Sequence, residues 1–123
     1  MLRLAMFLGP CAFAAFLLAA GTAAPPAPTF YRDVLPILQQ RCQSCHRPGE
    51  IAPLTFVSYE QTRPFAQAIR QAVTTKKMPP WFADPCCGHF ANDPSLSPQQ
   101  LATLSAWAEG GAPAGNPHDA APP

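Results

Sequence analysis

The segment Cys42-Gln43-Ser44-Cys45-His46 is the part of the sequence whose residue types and spacing most clearly indicate chemistry. Two cysteines three positions apart at the end of a helix present both sulfur atoms to one face. There they can form thioether bonds to the two vinyl groups of one haem, and His46 can bind its iron as the proximal ligand. This C-x-x-C-H spacing is the attachment pattern of c-type haem. The segment therefore predicts one covalently bound haem c per chain.

Met78 is the predicted second axial ligand of the iron, since it is the only methionine beyond the first 24 residues. The following Pro79 and Pro80 favour a stiff, extended backbone, which limits the entropy lost when the sulfur is fixed in place. A methionine thioether opposite a histidine raises the reduction potential of the iron. His89 is the competing distal ligand, and His118 is predicted to be solvated.

Further contacts to the haem are predicted on both sides of the iron. Residues 52–54, with Pro53 at the centre, follow His46 at a distance where a backbone carbonyl can accept the imidazole Nδ1–H. An ordinary turn is the alternative for this segment. Trp81 is predicted to pack against the haem, although each aromatic side chain can equally belong to the core. The other predicted haem-packing aromatics are Phe56, Phe65, Phe82 and Trp107.

The cysteines also permit other interpretations. A zinc site can be assembled from Cys42, Cys45, Cys87 and His89. A thioredoxin-like redox pair would need a βαβ context that this sequence lacks, and a disulfide between Cys42 and Cys45 is the simplest alternative. The consecutive Cys86 and Cys87 can form a vicinal disulfide, remain free or bind a soft metal with His89, and these alternatives stay open.

The N-terminal residues 1–24 are predicted to be a signal peptide. Arg3 precedes an apolar run, and small residues near position 24 provide a cleavage site. Export to the periplasm or outside the cell follows, with no stable membrane insertion after cleavage; an uncleaved membrane anchor is the alternative. Residues 25–29 form a proline-rich spacer, 30–113 a single domain and 114–123 a flexible tail.

Three helices are predicted within the domain, at residues 33–42, 58–75 and 97–110. Ser58 begins the second helix, and Pro64 interrupts it. Ser97 with Gln100 forms a capping box for the third. No segment alternates with period two for long enough to predict a strand, and 17 prolines indicate many irregular loops. The fold class is therefore predicted to be all-α. A net charge of +1 without a basic run does not indicate nucleic-acid binding.

The sequence resembles the class I-like cytochrome c domains, and within them a bacterial monohaem subgroup with an M-P-P-W distal segment. The resemblance covers most of the chain after the leader, although the Cys86-Cys87 pair departs from the pattern. It implies a cytochrome c-like fold with long loops wrapped around one haem. The matching motifs are D-V-L-P-I-L at 33–38, C-Q-S-C-H at 42–46, M-P-P-W at 78–81 and G-H-F at 88–90.

The resemblance also implies a function and roles for the site residues. The protein would be an electron carrier rather than an enzyme, exchanging electrons with a redox protein donor and acceptor. Cys42 and Cys45 would attach the haem, and His46 and Met78 would bind its iron. The alternatives are a haem enzyme or gas sensor with an open or His-ligated distal site, and a zinc-stabilised structural module.

Overall fold

A computed structural model describes residues 26–122, so the predicted leader lies outside the described residues. Within this range the protein is helical and has no β-strand, which confirms the predicted all-α class. No helix of the described part has the length and apolar character needed to cross a membrane. The α-helices are α1 (Leu35–Arg41), α2 (Tyr59–Thr62), α3 (Ala66–Thr74) and α4 (Pro98–Glu109).

The first helical region begins at Phe30, earlier than the predicted start near residue 33. A π-helical turn, Phe30–Val34, leads directly into α1. The Thr29 N–H donates to the Asp33 carboxylate at 2.6 Å, and the Thr29 carbonyl accepts from the Asp33 N–H at 3.0 Å. These reciprocal bonds close the turn ahead of Asp33. They also direct the side chains of Phe30 and Val34 into the core, where both are fully buried.

The second helical region is interrupted at the predicted proline. The Ser58 hydroxyl accepts from the Gln61 N–H at 3.3 Å and begins α2. A 3₁₀ turn over Arg63–Phe65 then separates α2 from α3. Proline has no N–H to donate and its ring crowds the preceding turn, so a regular α-helix cannot run through this point. The predicted interruption near Pro64 is confirmed.

The last α-helix has the predicted boundaries at both ends. The Gln100 N–H donates to the Ser97 hydroxyl at 3.1 Å, and the Gln100 side chain accepts from the Ser97 N–H at 3.0 Å, which completes the capping box. At the other end Gly111 has φ +84°, a left-handed conformation that glycine adopts without strain. The chain therefore reverses immediately after α4.

The core lies between α4, α3 and the π-helical turn. Trp107 is its largest fully buried side chain, and its indole N–H donates to the Pro113 carbonyl at 3.0 Å. This bond satisfies the indole donor and holds the chain that leaves α4 against the helix. The other buried apolar side chains around it include Phe30, Leu38, Ile69, Val73 and Leu104.

The chain continues to pack after residue 113, the predicted end of the domain. The Tyr31 N–H donates to the Ala114 carbonyl at 3.1 Å, and a 3₁₀ turn over Pro117–Asp119 contacts the π-helical turn. Gly115 has φ +75°, and a Cβ at this position would lie 2.6 Å from Thr29. Close approach of this segment to Thr29 therefore requires glycine at position 115, and the packed region extends beyond the predicted boundary.

Candidate functional site

An apolar cavity of about 530 Å³, called the main cavity below, lies beside α1 and α3. Its volume falls within the range of roughly 300–1,000 Å³ that is usual for ligand pockets. The cavity brings together five of the predicted site residues, Cys42, Cys45, His46, Pro53 and Met78. The remaining walls are mainly aliphatic, proline and phenylalanine side chains, together with Arg41 and Ser44.

The two cysteines reach the wall of the main cavity because the chain coils tightly as it leaves α1. The Cys42 N–H still donates to the Leu38 carbonyl at 2.9 Å, as in a helix. The Cys42 carbonyl then accepts from the N–H groups of Cys45 and His46, at 3.1 and 2.9 Å. These bonds keep the whole C-x-x-C-H segment compact. Both sulfur-bearing side chains and the imidazole consequently share one cavity.

The imidazole of His46 is fixed by two contacts. Its Nδ1 lies 2.9 Å from the Leu54 carbonyl oxygen, and its ring stacks on Phe56 with a centroid distance of 4.5 Å. A carbonyl oxygen can only accept a hydrogen bond, so Nδ1 carries the hydrogen, and in the neutral imidazole Nε2 then has the lone pair. The sequence placed a carbonyl acceptor within residues 52–54, and in the structure it belongs to Leu54. Pro53 lines the main cavity.

A loop returns from His46 to Phe56 and closes the same side of the cavity. The Ala52 N–H donates to the Cys45 carbonyl at 3.2 Å, and the Phe56 N–H donates to the His46 carbonyl at 3.0 Å. The Gln43 side chain adds a bond to the Phe56 carbonyl at 2.9 Å. Since these bonds cross between the two halves of the loop, the imidazole sits in a rigid frame.

The two thiols of the motif are free and differ in their surroundings. Cys42 is half-buried, whereas Cys45 is exposed. Burial raises the pKa of the Cys42 thiol to about 11, and the proximity of Cys45 adds to the rise. At neutral pH Cys42 is therefore a neutral thiol. A nucleophilic redox cysteine needs the opposite shift, toward a lower thiol pKa.

Met78 reaches the main cavity through a reversal of the chain after α3. The N–H groups of Lys77 and Met78 both donate to the Ala72 carbonyl, at 2.9 and 3.1 Å, and Lys76 has φ +57°. The Met78–Pro79 peptide bond is cis. The Met78 side chain is 42% exposed while lining the cavity. A thioether from a distant segment thus shares the cavity with the imidazole.

A second cavity of about 380 Å³ adjoins the main cavity. Met78 and Pro79 line both, whereas Trp81 and His89 line only the second. Among the other predicted haem-packing aromatics, Phe56 and Phe65 line the main cavity. Phe82 is 97% exposed and lines neither cavity, and Trp107 belongs to the core.

Cys86 and Cys87 form a vicinal disulfide, one of the alternatives that the sequence left open. The four residues of the possible zinc site are not gathered at one point. Cys42 and Cys45 line the main cavity, Cys87 is in the disulfide, and His89 lines the second cavity. Within residues 26–122 no group of three or more His, Cys, Asp or Glu side chains could hold a metal ion.

The residues of the main cavity suit an iron porphyrin in their chemistry. Apolar walls match a flat apolar macrocycle, two thiols can bond to its edge, and an imidazole and a thioether are the axial ligands found in c-type cytochromes.

Comparisons of the chain with protein-family models, curated proteins and solved structures find no match.

Proposed function

We propose that this protein is an exported monohaem c-type cytochrome that transfers electrons between redox proteins. One observation carries the proposal: Met78, far from the C-x-x-C-H segment in sequence, lines the same apolar cavity as Cys42, Cys45 and His46. If Cys42, Cys45 and His46 matched the C-x-x-C-H spacing only by chance, there would be no reason to expect an apolar cavity beside them. There would also be no reason to expect a methionine thioether on the wall of that cavity.

The residues of the cavity have distinct roles in this proposal. Cys42 and Cys45 would hold the haem through thioether bonds, and His46 and Met78 would bind its iron. When bound, the haem provides a one-electron couple between ferrous and ferric iron. The Leu54 carbonyl accepts the Nδ1–H of His46, which orients the ring and makes Nε2 a stronger donor to the metal.

The side chains that line the main cavity control the access of water and of partner proteins to the site. Aliphatic side chains such as Ile69 and Val73 are buried and exclude water, and a drier site favours the less charged state of the iron centre. Ile51, in contrast, is 89% exposed at the cavity. An electron-transfer partner needs only a small and transient contact at such an edge. The proposed partners are a redox protein donor and a redox protein acceptor.

A haem enzyme or gas sensor is the second candidate, and the position of His89 favours it. His89 lines the adjoining cavity and offers an imidazole as a different distal ligand. Ready binding of carbon monoxide by the reduced protein would support this second function over electron transfer.

The first experiment tests covalent attachment of the haem. The full chain is expressed with a c-type haem maturation system, and the exported protein is denatured in acidic acetone. We expect the pigment to stay with the polypeptide, because thioether bonds survive this treatment. A matched Cys42→Ala/Cys45→Ala variant should lose the pigment. Colourless wild-type protein, or pigment that dissolves in the acetone, would refute the proposal.

The second experiment compares the two candidate distal ligands. Met78→Ala should abolish the near-infrared sulfur-to-iron band of the ferric protein and lower the reduction potential, because a thioether ligand raises it. His89→Ala should leave both unchanged. Optical spectra and a redox titration of the two variants provide the measurements. A wild-type spectrum that lacks this band, is unchanged by Met78→Ala and is altered by His89→Ala would assign the distal position to His89.

A further inference from the structure

The Cys86–Cys87 disulfide cannot act as a structural staple of the fold. The stabilisation that a disulfide provides grows with the length of the loop that it closes. Here the bonded residues are consecutive, so the bond encloses no loop and joins no separate elements. Its contribution to the free energy of unfolding should therefore be small. A role other than global stabilisation is needed to explain it.

Both sulfur-bearing residues are accessible to a reductant. Cys86 and Cys87 are exposed, and thiol–disulfide exchange requires that an attacking thiolate reach one of the sulfur atoms. Because the residues are neighbours in the chain, their Cα atoms are 3.8 Å apart. Ordinary disulfides span about 4.4–6.8 Å, and those outside this range are more easily reduced. The Cys86–Cys87 bond is therefore accessible to a thiolate and suited to thiol–disulfide exchange.

The disulfide shapes the segment that leads away from Met78. It lies within a 3₁₀ turn, Pro85–Cys87, whose first N–H groups are capped by Asp84: the Asp84 side chain accepts from the Cys86 N–H at 2.9 Å. On either side of this turn, Trp81 and Phe90 make an edge-to-face contact with a centroid distance of 5.7 Å. Both aromatic side chains line the second cavity.

Met78 and Asp84, the residue that caps this turn, line the same second cavity. The Met78 side chain shares the second cavity with Trp81 and Phe90 as well, and it lines the main cavity with His46. A change in the turn that separates Trp81 from Phe90 would therefore alter the wall of a cavity that Met78 also lines. A hydrogen bond anchors the far end of the segment, where the Arg41 guanidinium donates to the Asp93 carbonyl at 3.1 Å.

We propose that the Cys86–Cys87 disulfide is a second redox site of this protein, reduced by a dithiol, and that its reduction releases Met78 from its axial position. The inference rests on the proposed function. In the exchange, a dithiol gives two electrons and two protons to the protein. The Cys86–Cys87 S–S bond breaks to two thiols, and an S–S bond forms in the oxidised dithiol.

The test uses the exported protein with its haem attached, with and without dithiothreitol. Ascorbate first reduces the haem, and the rate of carbon monoxide binding is then measured by optical spectroscopy. Dithiothreitol should raise the rate about tenfold, which corresponds to a tenfold larger open population. In the Cys86→Ser/Cys87→Ser variant the rate should be high from the start, and dithiothreitol should change nothing further.

Alkylation and peptide mapping of the same samples complete the test. Cys86 and Cys87 should be alkylated only after dithiothreitol treatment. Alkylation of Cys42 and Cys45 as well would mean that the haem is not covalently attached, so the proposed function itself would fail. If only Cys86 and Cys87 are alkylated while the carbon monoxide rate is unchanged, the coupling to Met78 is refuted. Resistance of the disulfide to excess dithiothreitol would refute the second redox site.

Discussion

The segments on the two sides of the main cavity are built differently. The proximal segment, residues 42–56, is crossed by backbone bonds between its two halves, and the His46 ring is held by the Leu54 carbonyl and by Phe56. The distal segment, residues 78–93, contains a single 3₁₀ turn, and its Phe82 side chain is 97% exposed. One side of the site is a rigid frame, and the other is a loop.

The difference in rigidity between the two segments indicates a different role for each of them. A rigid frame sets the orientation and basicity of the proximal imidazole, which should stay constant in every state of the protein. A loop with few buried contacts opens at a low free-energy cost, so Met78, the proposed distal ligand, would be the adjustable one.

The largest expected effect comes from paired phenylalanine substitutions on the two sides. Phe56→Ala removes a buried ring that stacks on His46, and the free energy of unfolding should fall by about 3–5 kcal/mol. Phe82→Ala removes an exposed ring, and the change should stay within about 0.5 kcal/mol. Urea unfolding of both variants measures the effects. Equal losses in the free energy of unfolding for the two variants would contradict the contrast between a rigid proximal segment and a loosely held distal segment.

A smaller effect is expected from the Gln43 side chain, which ties the two halves of the proximal frame. Gln43→Met keeps the length of the side chain but removes the donor to the Phe56 carbonyl. The free energy of unfolding should fall by about 1–2 kcal/mol, because a partly buried carbonyl loses its partner. Urea unfolding measures this change. An unchanged midpoint would show that the frame does not depend on this bond.

The smallest effect concerns Asp33, which anchors the helical region that ends at Cys42. Burial opposes its ionisation, but hydrogen bonds from Arg32 and the Thr29 N–H outweigh burial and keep the pKa of the Asp33 carboxyl below its ordinary value. The ionised carboxylate therefore stabilises the folded protein above the unfolded-state pKa of about 4. This contribution is lost as the pH falls through the lower folded-state pKa.

Asp33→Asn should accordingly lower the free energy of unfolding by about 1 kcal/mol at pH 7. The difference between wild type and variant should shrink as the pH is lowered below about 4, since both proteins then carry a neutral side chain. Unfolding curves recorded across this pH range test the sign of the effect. A difference that grows toward acidic pH would contradict the assignment of the carboxylate as an anchor.

Local signals in the sequence were sufficient for much of the fold. The all-α class, the interruption at Pro64 and the capping box of Ser97 with Gln100 depend on contacts within a few residues, and each is confirmed. The start of the first helix was missed because the Thr29 and Asp33 side-chain and backbone bonds extend it backwards. No propensity rule favours such a π-helical turn.

For the candidate site, too, local sequence predicted some features and only the tertiary structure revealed the others. The C-x-x-C-H spacing and the uniqueness of Met78 identified the candidate ligands from the sequence alone, because residue type and short-range spacing carry that chemistry. Only the tertiary structure placed Met78 in the main cavity and His89 in the adjoining one, and it singled out Leu54 as the carbonyl partner of His46. These placements depend on chain reversals that bring distant segments together, and local sequence does not encode where such segments meet.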